Sequence, residues 1–90
     1  MLLMKLILTL VLSRNAGFAP LITEARVTTN MSGTVCLVWT SEDADQGLSC
    51  WDTNQVKTTW KQLKLHHPGV YTVYAAAGNV KSNMITVEVR

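Results

Sequence analysis

From Val27 onward the chain alternates apolar and polar positions in short runs that turn residues separate. Residues 34–40 are rich in β-branched and aromatic side chains and follow the turn signal Asn30-Met31-Ser32-Gly33. Both faces of this run are apolar, which predicts a central strand. Near the C-terminus every second side chain from Ile85 to Val89 is apolar, which predicts a strand with one buried face.

Turn residues divide the remainder of this region. Residues 41–47 form a polar break before a short strand at 48–51, and residues 69–77 and 84–89 form the last two strands. His67-Pro68-Gly69 is a turn, because proline presets φ and glycine tolerates positive φ. Several short strands with regular turn signals predict an all-β fold, an antiparallel β-sandwich.

Residues 56–65 fit two kinds of element. Val56, Trp60 and Leu63 would share one face of a helix, whereas the threonine pair and the spaced lysines suit an edge strand. We favour a strand, because the neighbouring segments leave little room for a helix.

The first twelve residues include ten apolar ones. This run is too short to cross a bilayer, which takes about 20 apolar residues, and Arg14 ends it. One interpretation is a secretory signal, because Lys5 precedes the apolar run and Gly17 and Ala19 supply small residues near a cleavage point.

An internal comparison suggests a rival interpretation of the same segment. Shifting the chain by 64 positions places Asn15, Glu24 and Arg26 on identical residues. Residues 6–27 would then be the last hairpin of a preceding copy in a tandem array. Either interpretation divides the chain into a segment 1–26 and a β-sandwich domain 27–90.

Charge argues against a nucleic-acid partner. The net charge is +2, but residues 27–90 hold five basic and five acidic residues and are formally neutral. Binding to nucleic acid needs an excess of Lys and Arg to displace counterions from phosphates.

Cys36 and Cys50 allow one intramolecular disulfide, with two buried free thiols as the alternative. In an oxidising compartment such a bridge would stabilise a small domain by roughly 3 kcal/mol. Asn30-Met31-Ser32 is an N-glycosylation sequon in a predicted turn. Together these features favour an extracellular protein.

The sequence offers no motif for catalysis and implies no cofactor and no metal. Glu42, Asp43 and Asp45 suggest a calcium loop, but Gly47 falls one place off the EF-hand pattern, and a solvated acidic turn fits better. His66-His67 lacks a Cys or carboxylate at ligand spacing, so a pair flanking a turn is the better interpretation.

Three tryptophans permit a sugar-stacking platform or an aromatic core. Trp39, Trp51 and Trp60 each lie in a strand-like run, which favours burial in the core. Tyr71 is expected to pack inside the sandwich, with its hydroxyl bonded to a nearby backbone group in the manner of a tyrosine corner.

The C-terminal region resembles the PKD domain of polycystin-type receptors. Residues 66–90 carry that family's pattern of a histidine, a Pro-Gly turn, alternating Tyr and Val, an Ala-x-Asn-x-x-Ser turn and a final Val-x-Val strand. The matching positions are Pro68, Gly69, Tyr71, Val73, Ala77, Asn79, Ser82, Val87 and Val89. Upstream, Trp51-Asp52 resembles the start of the family's W-D-F-G-D-G signature.

The chain departs from that signature after Asp52, where Thr53-Asn54-Gln55 replaces the Gly-Asp-Gly turn. The resemblance implies an immunoglobulin-like antiparallel β-sandwich of the PKD type, in abbreviated form. The immunoglobulin superfamily itself fits less well, because its hallmark cysteine would fall at Val73 and the spacing between the two cysteines is short.

The resemblance further implies a non-enzymatic extracellular module for protein or carbohydrate interaction, adhesion or mechanical spacing. Its partners would be protein or glycan ligands and neighbouring repeats of the same kind, with contact to a membrane only through a larger receptor. The alternative is a small secreted carbohydrate-binding or enzyme-accessory module.

Overall fold

The structure is a computed structural model that describes residues 7–42, 46–53 and 57–90. Within these ranges the chain forms nine β-strands. Their bounds are β1 Leu8–Leu12, β2 Ala16–Gly17, β3 Leu21–Thr29, β4 Gly33–Thr40, β5 Gly47–Thr53, β6 Lys57–Leu65, β7 Gly69–Ala77, β8 Val80–Lys81 and β9 Ile85–Val89.

The strands of the described ranges form two sheets, which pack as an antiparallel β-sandwich. The first sheet has the order β1-β3-β6, and the second has the order β2-β9-β7-β4-β5 with β8 paired to β7. Neighbouring strands run antiparallel, except that β2 runs parallel to β9.

The core lies between the two sheets because side chains of one parity point inward from every long strand. In β3 and β7 the burial pattern alternates at every second residue. The buried apolar residues are Leu8, Leu10, Leu21, Ala25, Val27, Val35, Leu37, Leu63, Leu65, Tyr71, Val73, Ala75, Ala77, Val87 and Val89.

Residues 8–26 supply strands to both sheets. β1 pairs with β3 in the first sheet, and the chain then crosses to the second sheet, where β2 pairs with β9. Leu8 and Leu10 are buried in the core. The predicted division between residues 26 and 27 therefore falls inside β3.

Most predicted strands of the later region match observed ones. The predicted strand 34–40 lies within β4, which is central because it pairs with both β5 and β7. Residues 56–65 were predicted as a strand in preference to a helix, and Lys57–Leu65 of this range is β6, which pairs along its whole length with β3. Residues 54–56 and 43–45 lie outside the described residues.

Candidate functional site

Cys36 and Cys50 are joined by a disulfide with an S–S distance of 2.02 Å. The two residues lie directly opposite each other in the β4–β5 pair, with Cα atoms 4.0 Å apart. The bridge lies on the outer face of the second sheet, because its neighbours along β4, Val35 and Leu37, point into the core. It fastens β5, an edge strand, to the central strand β4.

Apolar side chains surround this bridge. Val38 lies opposite Leu48 on one side and Tyr74 on the other, so the three form a row across three strands. The Nζ atom of Lys81 lies 5.3 Å from the centre of the Tyr74 ring. We call this surface the disulfide face, and its residues are Cys36, Val38, Leu48, Cys50 and Tyr74.

Tyr71 is fully buried, and its hydroxyl donates a hydrogen bond of 2.7 Å to the backbone carbonyl of His67. This confirms the predicted tyrosine corner. The bond ties the turn before β7 to the middle of the core, while Val73 lies buried two residues further along the same strand.

Ser82 lies between β8 and β9 and forms hydrogen bonds with β7 of the second sheet. Its Oγ accepts a 2.8 Å hydrogen bond from the N–H of Ala75 and donates one of 2.9 Å to the carbonyl of Asn83. The N–H of Ser82 donates to the carbonyl of Ala75 at 2.8 Å. A serine three residues before β9 gave no signal of this role beyond its place in the PKD-like pattern.

Trp51 and Asp52 have different environments. Trp51 is half-buried against the core, and the Nζ of Lys61, across the sandwich on β6, lies 5.0 Å from the centre of its ring. Asp52 is exposed and accepts a 2.9 Å hydrogen bond from the Thr34 hydroxyl. Both residues thus hold β5 in place, one to β6 and one to β4.

Trp39 packs against the core from β4. A Cβ atom at Gly47 would lie 2.6 Å from Cζ2 of its indole ring, so the absence of a side chain there lets the ring lie against β5. Trp39 and Trp51 were predicted to be buried in the core, and both pack against it, although each is only partly buried.

Trp60 does not follow that prediction, because its side chain is 59% exposed. It lies on β6 with the parity opposite to that of Leu63 and Leu65, which are buried. The signal was present in the sequence, since Trp60 is three residues from Leu63 and five from Leu65 and must face the other side of a strand.

The indole ring of Trp60 lies beside polar and charged side chains on the outer face of the first sheet. The guanidinium carbon of Arg26, which is directly opposite on β3, lies 5.6 Å from the ring centre. We call this surface the tryptophan face, and its residues are Glu24, Arg26, Thr58, Trp60 and Gln62.

The remaining predicted residues lie in turns. Asn30 follows β3 and is half-buried, and its Oδ1 accepts a 2.8 Å hydrogen bond from the N–H of Ile7. Pro68 is exposed immediately before Gly69, the first residue of β7. Asn79 is exposed in the turn after Gly78, whose φ of 59° is a conformation that glycine adopts without strain.

The structure brings no metal-binding cluster together among the residues that it describes. Glu42 is exposed, whereas Asp43 and Asp45 of the same predicted acidic turn lie outside the described residues. His66 lines a cleft of about 280 Å³ together with Trp39, Gln46, Lys64, Leu65 and Tyr71.

Within the described ranges no helix has the length and apolar character that a membrane span requires. The chain matches no family model, no curated protein and no solved structure.

Proposed function

We propose that this chain is a non-enzymatic extracellular module, a PKD-like β-sandwich that works in protein or carbohydrate interaction, adhesion or mechanical spacing within a larger membrane receptor. The strand order β1-β3-β6 over β2-β9-β7-β4-β5 supports the immunoglobulin-like arrangement implied by the PKD resemblance. The resemblance is strongest in β7 and β9, where Tyr71, Val73, Val87 and Val89 are all buried.

The secretory route rests on two features. The disulfide between Cys36 and Cys50 belongs to the class that persists in oxidising compartments. Asn30, the acceptor of the sequon, lies in the segment between β3 and β4, and a glycan would attach through the amide nitrogen of its side chain.

The observation that carries the spacer role is the path of the two chain ends. Asn83 makes two hydrogen bonds of 2.9 Å with the backbone of Leu10, one to its N–H and one to its carbonyl. Further along, the N–H of Arg90 donates to the carbonyl of Gly17 at 2.8 Å. The segment from Leu10 to Gly17 therefore runs beside residues 83–90 in the same direction.

This path puts Leu8 and Arg90 at opposite poles of the sandwich. Leu8 lies beside Thr29 at one end of β3, while the N–H of Ala19, just before the other end, donates to the carbonyl of Arg90. A pull applied through both ends would load the contacts between the N-terminal segment and residues 83–90 in shear, so that they must fail together. A module in an array that bears load needs this property.

Single-molecule extension of a tandem chain of identical copies tests the role. We expect one force peak per copy, because forced unfolding follows the rate of crossing the unfolding barrier. Asn83→Ala removes both hydrogen bonds to Leu10 and should lower the peak force, whereas Asn79→Ala, in an exposed turn, should leave it unchanged. Extension without force peaks would contradict the spacer role.

A second candidate function is a small secreted carbohydrate-binding or enzyme-accessory module. The exposure of Trp60 on a flat sheet favours it, because aromatic rings left in solvent are a usual means of stacking on ligands.

A further inference from the structure

We propose that the tryptophan face is a carbohydrate-binding site, in which the open side of the Trp60 ring stacks on the C–H face of a pyranose ring. This inference rests on the carbohydrate-binding part of the proposed function and is independent of the spacer role.

The core does not require the Trp60 ring. Leu63 and Leu65 bury the inner face of β6, while Trp60 points outward and remains 59% exposed. A large aromatic side chain in water gains little from folding, since the hydrophobic stabilisation scales with the apolar area that is removed from water. The ring is therefore available to cover apolar surface that a ligand brings.

Arg26 leaves one side of the ring available. Its guanidinium lies over the ring from β3, at 5.6 Å from the ring centre, and restrains the ring through a cation–π contact. Within the described part of the chain β6 is an edge strand that pairs with β3 alone. The side of the ring that faces away from Arg26 thus looks over an open edge of the sheet.

The side chains near the ring are hydrogen-bonding groups. Thr58 and Gln62 flank Trp60 on the same face of β6, and the Thr58 hydroxyl is 2.9 Å from that of Thr28 on β3. Glu24 lies opposite Gln62 in the β3–β6 register. Hydroxyl, amide, carboxylate and guanidinium groups together supply both donors and acceptors.

This combination selects the chemistry of the ligand. A partner protein would be expected to meet a continuous apolar patch at the centre of its interface. The neighbours of Trp60 in the β3–β6 register are polar, and Arg26 separates the ring from Val11, the exposed apolar residue opposite it on β1. A sugar has one apolar C–H face and a rim of hydroxyl groups, which matches a single ring among polar groups. Sugars with equatorial substituents, such as β-linked glucose and N-acetylglucosamine, have the flattest C–H face.

Binding to immobilised cello-oligosaccharides and chito-oligosaccharides tests the proposal, with the chain presented as a tetramer so that weak single contacts add. We expect wild-type chain to bind at least one of the two probes. Trp60→Thr, which keeps a residue that favours strands but removes the ring, should weaken binding about tenfold or more. Trp60→Phe should retain most of the binding.

Leu48→Thr is the matched control, because Leu48 is 64% exposed on the other sheet and its loss should leave binding unchanged. Arg26→Gln is a second test variant, which keeps the Trp60 ring but removes its cation–π contact, and binding should fall a few-fold. Absence of binding by folded wild-type chain, or equal binding by Trp60→Thr, would overturn the site. In either case, a force peak in single-molecule extension would still support the spacer role.

Discussion

On the disulfide face, Val38 lies in a continuous apolar row between Leu48 and Tyr74, next to a covalent bridge, whereas on the tryptophan face Trp60 is a single ring among polar side chains. Both faces belong to outward-pointing positions of the same sandwich. They differ in what surrounds each apolar group. Because of this difference we assign the disulfide face to stability and the tryptophan face to recognition.

On the disulfide face the Cys36–Cys50 bridge joins β4 to β5 covalently, and Val38 lies between residues of both neighbouring strands. On the tryptophan face the ring lies beside the guanidinium of Arg26, and an exposed cation–π contact is worth only about 0.5–1 kcal/mol. We therefore expect the first face to affect unfolding and the second to affect binding.

The largest effect should come from removing β1, which belongs to the sheet of the tryptophan face, together with β2 of the second sheet. A chain that begins at Pro20 lacks β1 and β2, together with the buried Leu8 and Leu10. Truncating a buried leucine costs about 2–5 kcal/mol, and a domain of this size has only about 5–15 kcal/mol of stability in total. We expect this shortened chain to remain unfolded.

Two-dimensional NMR of the shortened chain measures this outcome, with a chain that begins at Ile7 as the control. Dispersed resonances and an unchanged melting temperature after loss of residues 1–19 would show that β1 is dispensable.

The next largest effect should come from the disulfide face. Replacing Cys36 and Cys50 together by alanine opens a loop with a sequence separation of 14 residues. In the chain-entropy model such a loop is worth about 3 kcal/mol, which corresponds to a fall in melting temperature of roughly 12–24 °C for a domain of this size. Differential scanning calorimetry gives the value.

Loss of binding to the oligosaccharides in this double variant, measured below its melting temperature, would contradict the separation of the two faces. An unchanged melting temperature would show instead that the bridge contributes nothing to stability.

The later strands could be predicted from the sequence because their signals are local. Residues 69–77 lie between a Pro-Gly turn and a glycine turn, and burial alternates along them. The observed β7 has the same bounds as the predicted strand. The tyrosine corner was also predictable, because the Tyr71 hydroxyl reaches a carbonyl only four residues away. Local spacing specifies such features without knowledge of the partner strands.

The N-terminal path could not be predicted in this way. β1 pairs with β3, while β2 pairs with β9, more than seventy residues further along the chain. An apolar run of this length is equally compatible with a secretory signal. Its strand partners depend on distant contacts, which the run itself does not specify. Whether the segment is cleaved in cells stays a prediction.

The tryptophan face was missed for a different reason. Its residues come from two strands whose pairing was not predicted from the sequence. Arg26 and Trp60 lie opposite each other because of the β3–β6 register. Strand parity alone would have turned Trp60 outward, but the partner that restrains its ring follows from the register.

The smallest predicted effect tests the central claim most directly. Urea unfolding of Trp60→Thr should give a free energy of unfolding within about 1 kcal/mol of wild type, because most of the ring is exposed, its cation–π contact is weak and threonine favours the strand. A loss of about 2 kcal/mol or more would show that the ring supports the fold, and it would contradict the assignment of the tryptophan face to recognition.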